Sequence, residues 1–142
     1  MPYYIGDVIG DEKNLVARTP ERFRETGIEV MTHTRVTGVD TAKGLVELDG
    51  RPALNYDYLV FATGASAFVP DIPGLDLPDV FSLRNLEDAI AIKARIKEIN
   101  ARRVVVVGAG FIGLEMSEAL TEAGIAVTLI HKDPLPANRW DP

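Results

Sequence analysis

Between Arg103 and His131 an apolar run, a set of glycines, a helical stretch and a second apolar run follow one another in an order that few folds can use. Val104, Val105, Val106 and Val107 form a β-branched run whose unbroken apolar character predicts a strand buried on both faces. Gly108-Ala109-Gly110-Phe111-Ile112-Gly113 follows it directly. A helix is predicted from Leu114 to Ala123, with Leu114, Met116, Ala119, Leu120 and Ala123 at helical spacing and Gly124 as its terminator. Ala126, Val127, Thr128, Leu129 and Ile130 predict a second buried strand with His131 at its carboxyl end. The stretch is one complete βαβ unit, and the expected fold class is α/β.

The three glycines meet three different demands. Gly108 permits the tight turn out of the strand, Gly110 lets a pyrophosphate approach the backbone, and Gly113 lets helix and strand pack closely. The helix start adds N–H groups without intrahelical acceptors and the positive end of the helix dipole. With a strand before, a helix after and a polar strand-end position about twenty residues on, the pattern reads as a dinucleotide site. A glycine turn of purely structural use is the alternative.

Composition narrows the partners. With 46% apolar and 25% charged residues, the 142-residue chain looks like an ordinary globular protein with one core. A net charge of −6 argues against a nucleic-acid or anionic-membrane surface, which needs clustered Lys and Arg. No apolar stretch reaches the length of a membrane span and no charged-then-apolar leader opens the chain, so a cytoplasmic location is the default expectation. The absence of cysteine excludes disulfides, thiolate metal sites and cysteine redox chemistry carried by this sequence itself. His33 and His131, the only histidines, lack the spaced carboxylates of a metal site.

From the amino terminus, Met1 to Gly10 shows neither helical nor strand period and reads as a connection. Thr19 as N-cap, Pro20 at the first helical position and Glu21 in the first turn predict a short helix to Glu25, ended by Gly27. Ile28 to Met31, Arg35 to Asp40 and Gly44 to Leu48 have strand character, and Asp49-Gly50 is a hairpin signal, together a small β-meander. Tyr56 to Phe61 predicts a further strand, leading into Ala62-Thr63-Gly64-Ala65, where small residues let a backbone approach a ligand. Pro70, Pro73-Gly74 and Pro78 mark a linker, with a boundary near Phe81. Asn85 predicts the cap of a helix from Leu86 to about Ile99, with Leu86, Ala89, Ile90, in part Ile92, Lys93 and Ile96 along a mixed apolar stripe and the charges of Lys93, Lys97 and Glu98 outward. His131 to Trp140 reads as loop, and Asp141-Pro142 as the cap and first turn of another helix. Tyr3, Tyr4 and Trp140 read as packing or surface residues, and Arg102 and Arg103 as solvated charges.

Pro2-Tyr3-Tyr4-Ile5-Gly6, Tyr58-Leu59-Val60-Phe61-Ala62-Thr63-Gly64-Ala65, Ile72-Pro73-Gly74, Phe81-Ser82-Leu83-Arg84 and Val107 to Glu115 occur in one order along nearly the whole chain. In that order they resemble the pyridine nucleotide-disulfide oxidoreductase family, in its coenzyme A disulfide reductase and NADH oxidase-like branch. The first motif is similar to the segment after the redox-active cysteine, and the second to a flavin-contacting motif. The resemblance implies an FAD-dependent NAD(P)H oxidoreductase, in which hydride passes from NAD(P)H to flavin and then to a disulfide, quinone or oxygen. Residues 1–80 would be a partial FAD-domain segment containing the β-meander, and 81–142 the amino-terminal half of a Rossmann-like NAD(P)-binding domain. The family's flavin-pyrophosphate fingerprint and redox cysteine would precede Met1, and its second flavin half and dimerisation domain would follow Pro142. The sequence therefore reads as an internal fragment, expected on its own to hold no stoichiometric FAD and to lack disulfide reductase activity. A non-catalytic dinucleotide-binding module or a truncated remnant is the alternative.

The resemblance also implies roles for single residues. Phe111, beside Ile112 in the fingerprint, would lie over the flavin face where nicotinamide enters, and Glu115 beside the nicotinamide; a core aromatic and a solvated carboxylate are the other readings. Ala62, Thr63 and Gly64 would line the flavin, and Val36 would offer backbone groups near its adenine. At the end of the second strand an NAD site usually has a carboxylate for the ribose hydroxyls. His131 and Lys132 stand there instead, and as charge-assisted donors they would attract the 2′-phosphate of NADPH. An unpaired edge on the doubly buried strands further predicts self-association or a homodimer.

Overall fold

In chain order the elements are α1 (Pro2–Ile5), a 3₁₀ turn (Glu12–Leu15), α2 (Pro20–Glu25), β1 (Val36–Asp40), β2 (Leu45–Leu48), β3 (Arg51–Asn55), α3 (Leu86–Glu98), β4 (Arg103–Val107), α4 (Phe111–Glu122) and β5 (Ala126–Ile130). The computed structural model describes residues 1–137, so Trp140 and the Asp141-Pro142 cap pair lie outside the described residues. Internal contacts divide the chain into two units, Arg18–Ala65 and Met1–Ala17 with the chain from Ser66 onward.

The second of these units holds the predicted βαβ. β4 and β5 pair in parallel with Arg103 opposite Ala126 and Val107 opposite Ile130, so the two strands end level. α4 connects them and stops where Gly124 takes a φ of +78°, its N–H donating to the Thr121 carbonyl and that of Ile125 to the Leu120 carbonyl. α3 begins at a reciprocal capping box in which Asn85 accepts from the Asp88 N–H at 2.8 Å and Asp88 accepts from the Asn85 N–H at 3.0 Å. Tyr4, Ile5, Ala89, Met116 and Leu120 form the core, with Val104, Val106 and Val127 packed against it.

The amino-terminal segment departs from its reading as a connection. Pro2–Ile5 is a helical turn packed on α3 and α4, too short for any period to show in sequence. Its approach to α4 is close: a Cβ on Gly6 would stand 2.5 Å from the Ala119 carbonyl oxygen. Lys93 is also corrected from outward to buried, at 7% exposure. Its stem lies along the core while its ammonium meets the Asp7 carboxylate at 2.8 Å and lies 3.8 Å from the centre of the Tyr4 ring.

Both strands of the βαβ were expected to be covered on two faces, and only one face is. Exposure alternates along each strand, leaving Val105 at 59%, Val107 at 73% and Ile130 at 51% on the uncovered side. Parallel strands become doubly buried when helices lie on both faces. Here α4 and the elements packed with it cover one.

The other unit is a meander, but shifted along the chain from its expected position. Its sheet runs β1-β2-β3, antiparallel throughout, with Asp49-Gly50 as the β2–β3 turn and Gly50 at a φ of +62°. α2 forms as predicted, with the Thr19 hydroxyl accepting from the Arg22 N–H. Ile28 to Met31 and Tyr56 to Phe61 form no strand. An apolar run becomes a strand only beside a neighbour that completes its ladder, and neither run has one; Tyr58 is 94% and Val60 83% exposed.

The charges at Asp7 make the tie between α1 and α3 sensitive to acid. Hydrogen bonds from Lys93 and then from Lys97 hold the Asp7 carboxyl below its ordinary value of 3.8. A depressed carboxylate contributes its stability in full above that ordinary value and loses it as pH falls through the folded value. Chemical denaturation of wild type and Asp7→Asn should therefore differ at neutral pH and converge on acidification below about pH 4. A constant gap would show that the pair contributes nothing.

Candidate functional site

The level ends of β4 and β5 place Gly108 beside His131. The Gly108 N–H donates to the Ile130 carbonyl at 2.8 Å and so extends the parallel ladder by one bond. Gly108 then turns with a φ of +105°, a conformation that side chains oppose. Beyond it the Ala109 N–H donates to Nδ1 of His131 at 3.2 Å, and the Ala109 carbonyl accepts from the Ala137 N–H at 2.8 Å. The two peptides that flank the Ala109 Cα, one through its N–H and the next through its C=O, are thus both held by the segment that follows β5.

Gly110 is the N-cap of α4 and offers no side chain to its first turn, which also carries no acidic residue. Among the described residues nothing lies within 4 Å of where a Cβ on Gly108 or Gly110 would stand, so there the loop has open space on the side where each lacks a side chain. Gly113 is the opposite case: a Cβ there would overlap the Gly108 carbonyl oxygen, which is backbone and cannot swing aside. Its hydrogen alone lets α4 lie against the turn. These features suit an anionic group set against the backbone at the start of α4.

Around the loop, Phe111 and Ile112 are exposed on the first turn of α4, with Glu115 exposed about one turn further on. Glu115 also acts on Tyr3, whose phenol is raised above its ordinary range by Glu118 first and by Glu115 more weakly. His131 is mostly buried, its Nε2 3.7 Å from Asp133 and without a hydrogen-bond partner among the described residues. Lys132 is exposed.

Val36, Ala62, Thr63 and Gly64 belong to the Arg18–Ala65 unit. Val36 opens β1 opposite Leu48, Ala62 and Thr63 are exposed outside any strand, and Gly64 has a φ of +74°. The structure thus groups the glycine loop with Phe111, Ile112, Glu115, His131 and Lys132 in one unit and Val36, Ala62, Thr63 and Gly64 in the other. Sequence reasoning missed Ala109 and Ala137, which contribute only backbone groups and carry no side-chain signal. Among the described residues no group of three or more His, Asp or Glu could hold a metal ion, and no helix is long and apolar enough to cross a membrane.

Comparison with known proteins agrees in sequence and in fold. The family model described as pyridine nucleotide-disulphide oxidoreductase matches residues 3–142. The chain is 42% identical to an NADH oxidase of Methanocaldococcus jannaschii over 94% of its own length and 31% of the relative's. It is 36% identical to a coenzyme A disulfide reductase of Staphylococcus haemolyticus, again over 93% of this chain and 31% of that protein. A solved NAD-dependent persulfide reductase from A. fulgidus superposes with a TM-score of 0.83 at 37% identity, covering 96% of this chain and 27% of the other. The chain therefore spans about a third of the length of the curated relatives it matches, 31% in each of the two named.

The contact at Gly113 yields a direct test. Gly113→Ala should push α4 from the β4 turn and lower stability by about 1–3 kcal/mol, an overpacking cost. Urea unfolding measures it, and an unchanged midpoint would mean that the loop carbonyl moves freely.

Proposed function

The chain belongs to the pyridine nucleotide-disulphide oxidoreductase family, and from that premise we propose that its glycine loop binds the pyrophosphate of NAD(P)H within an FAD-dependent oxidoreductase. The observation that carries this reading is the pairing of open backbone at Gly108 and Gly110 with an uncapped first turn of α4. Main-chain N–H groups and the helix dipole there favour a doubly charged diphosphate. Bound nicotinamide supplies the hydride chemistry, and the protein supplies binding and orientation. In this reading Phe111 and Glu115 border the nicotinamide, and Lys132 adds fixed positive charge toward a 2′-phosphate. Residues 1–80 form the flavin-type segment, where Val36, Ala62, Thr63 and Gly64 serve FAD, and 81–142 form half of the NAD(P) domain. The relatives' names support a disulfide or oxygen as the final acceptor.

Gly110→Asp separates this reading from that of a structural turn. A Cβ fits there without contact, the backbone is already extended, and Asp is a strong N-cap. The variant should keep or gain thermal stability, yet bind NADH and NADPH at least about tenfold more weakly, because its carboxylate takes the same N–H groups and repels the diphosphate. Cofactor fluorescence titration reads the outcome, and equal affinity in both proteins would refute the site.

We also propose that copies of the chain associate through the uncovered side of β4 and β5, where Val105, Val107 and Ile130 are exposed. Light scattering should give a mass above 15.5 kDa together with low binding of a hydrophobic dye. A monomer that leaves the dye dark would exclude the association.

A further inference from the structure

We propose that His131 is a positioning residue, a neutral hydrogen-bond acceptor that fixes the glycine loop, rather than a charged donor to the cofactor. The consequence for binding rests on the NAD(P)H site proposed above; the geometry does not.

One hydrogen bond has a fixed direction. Ala109 offers an N–H, and a backbone N–H can only donate, so Nδ1 of His131 accepts it with a lone pair at 3.2 Å. A protonated imidazole has hydrogens on both nitrogens and nothing to accept with. The bound state is therefore the neutral tautomer with its proton on Nε2, and protonation would set two N–H groups against each other. Charge on His131 and an anchored Ala109 exclude one another.

The position explains why an imidazole is needed there. β4 and β5 are paired to their last residues, and the Gly108 N–H still finds the Ile130 carbonyl. The chain then turns at Gly108, and the next donor, on the fully buried Ala109, needs an acceptor from beyond the ladder. A carboxylate there could serve too, but it would add negative charge beside a diphosphate. Neutral His131 gives the acceptor without that charge, and the Ala137 N–H holds the carbonyl of the next peptide, on the other side of the Ala109 Cα.

Among the described residues the segment after β5 brings Asp133, 3.7 Å from Nε2, and the exposed Lys132. β5 and the loop from Gly108 to Gly110 carry no titratable side chain, and from that side the Ala109 N–H dipole meets the ring. Acidification should release Ala109 and weaken both nicotinamide cofactors together, although added positive charge would favour NADPH.

The test uses the 142-residue chain, NADH and NADPH as probes, and the variants His131→Leu and His131→Asn. Asn places Oδ1 where Nδ1 stands and does not titrate. Histidine-nitrogen NMR at about pH 8 should show an unprotonated Nδ1 and a protonated Nε2. His131→Leu should speed exchange of the Ala109 amide and weaken NADH and NADPH by the same factor, about three- to tenfold for one lost hydrogen bond. His131→Asn should restore both and remove the loss of affinity on acidification, because an amide oxygen accepts without titrating. A proton on Nδ1, unchanged Ala109 exchange in His131→Leu, or a loss confined to NADPH in His131→Asn would overturn the proposal. If wild type shows the expected tautomer and exchange but binds neither cofactor, the loop role stands and the cofactor site falls.

Discussion

Two missing side chains set the position of α4, and most of the Met1–Ala17 and Ser66-onward unit depends on where α4 lies. At its amino end Gly113 touches the Gly108 carbonyl; near its carboxyl end Ala119 meets Gly6 of the segment after α1. Each contact is too close for a Cβ. With α4 seated this way, Met116 and Leu120 reach the core with Tyr4 and Ile5, and the helix start faces the turn out of β4. The packing that stabilises the unit and the approach that shapes the loop are the same contact at Gly113.

Much of this was legible from local signals. The Asn85 cap, the Thr19-Pro20 start and the Asp49-Gly50 turn each act on residues a few positions away and formed as read, and the valine run and the glycines after it gave the strand and the turn into a helix. What escaped depends on distant parts of the chain. Ile28 to Met31 and Tyr56 to Phe61 have strand composition, but composition does not supply a hydrogen-bonding neighbour. Lys93 looks like a solvated charge until Asp7 and Tyr4 arrive from the far amino end. The apolar run in β4 announces burial, yet whether one face or two is covered depends on what lies opposite.

The site was legible in the same uneven way. Glycines reveal themselves because their absence of a side chain is visible in the sequence. Ala109 does not, since its contribution is a peptide group that any residue would carry. Position alone marks His131 in the sequence, where it reads as a donor. Only the orientation of the Ala109 N–H shows that one ring nitrogen must accept, because a sequence names a histidine without its tautomer.

The level register of β4 and β5 also limits how the chain can change length. Side chains alternate along a strand, so one residue inserted in the Gly124-Ile125 connection would shift β5 by a single step. Val127 and Leu129 would rotate to solvent, Thr128 would turn toward the core, and His131 would leave the side of the sheet that meets Ala109. The turns from Ser66 to Arg84 carry no ladder and no such parity. Insertions and deletions among homologous sequences should gather there and spare the Gly124-Ile125 connection, where one extra codon undoes both the core and the loop.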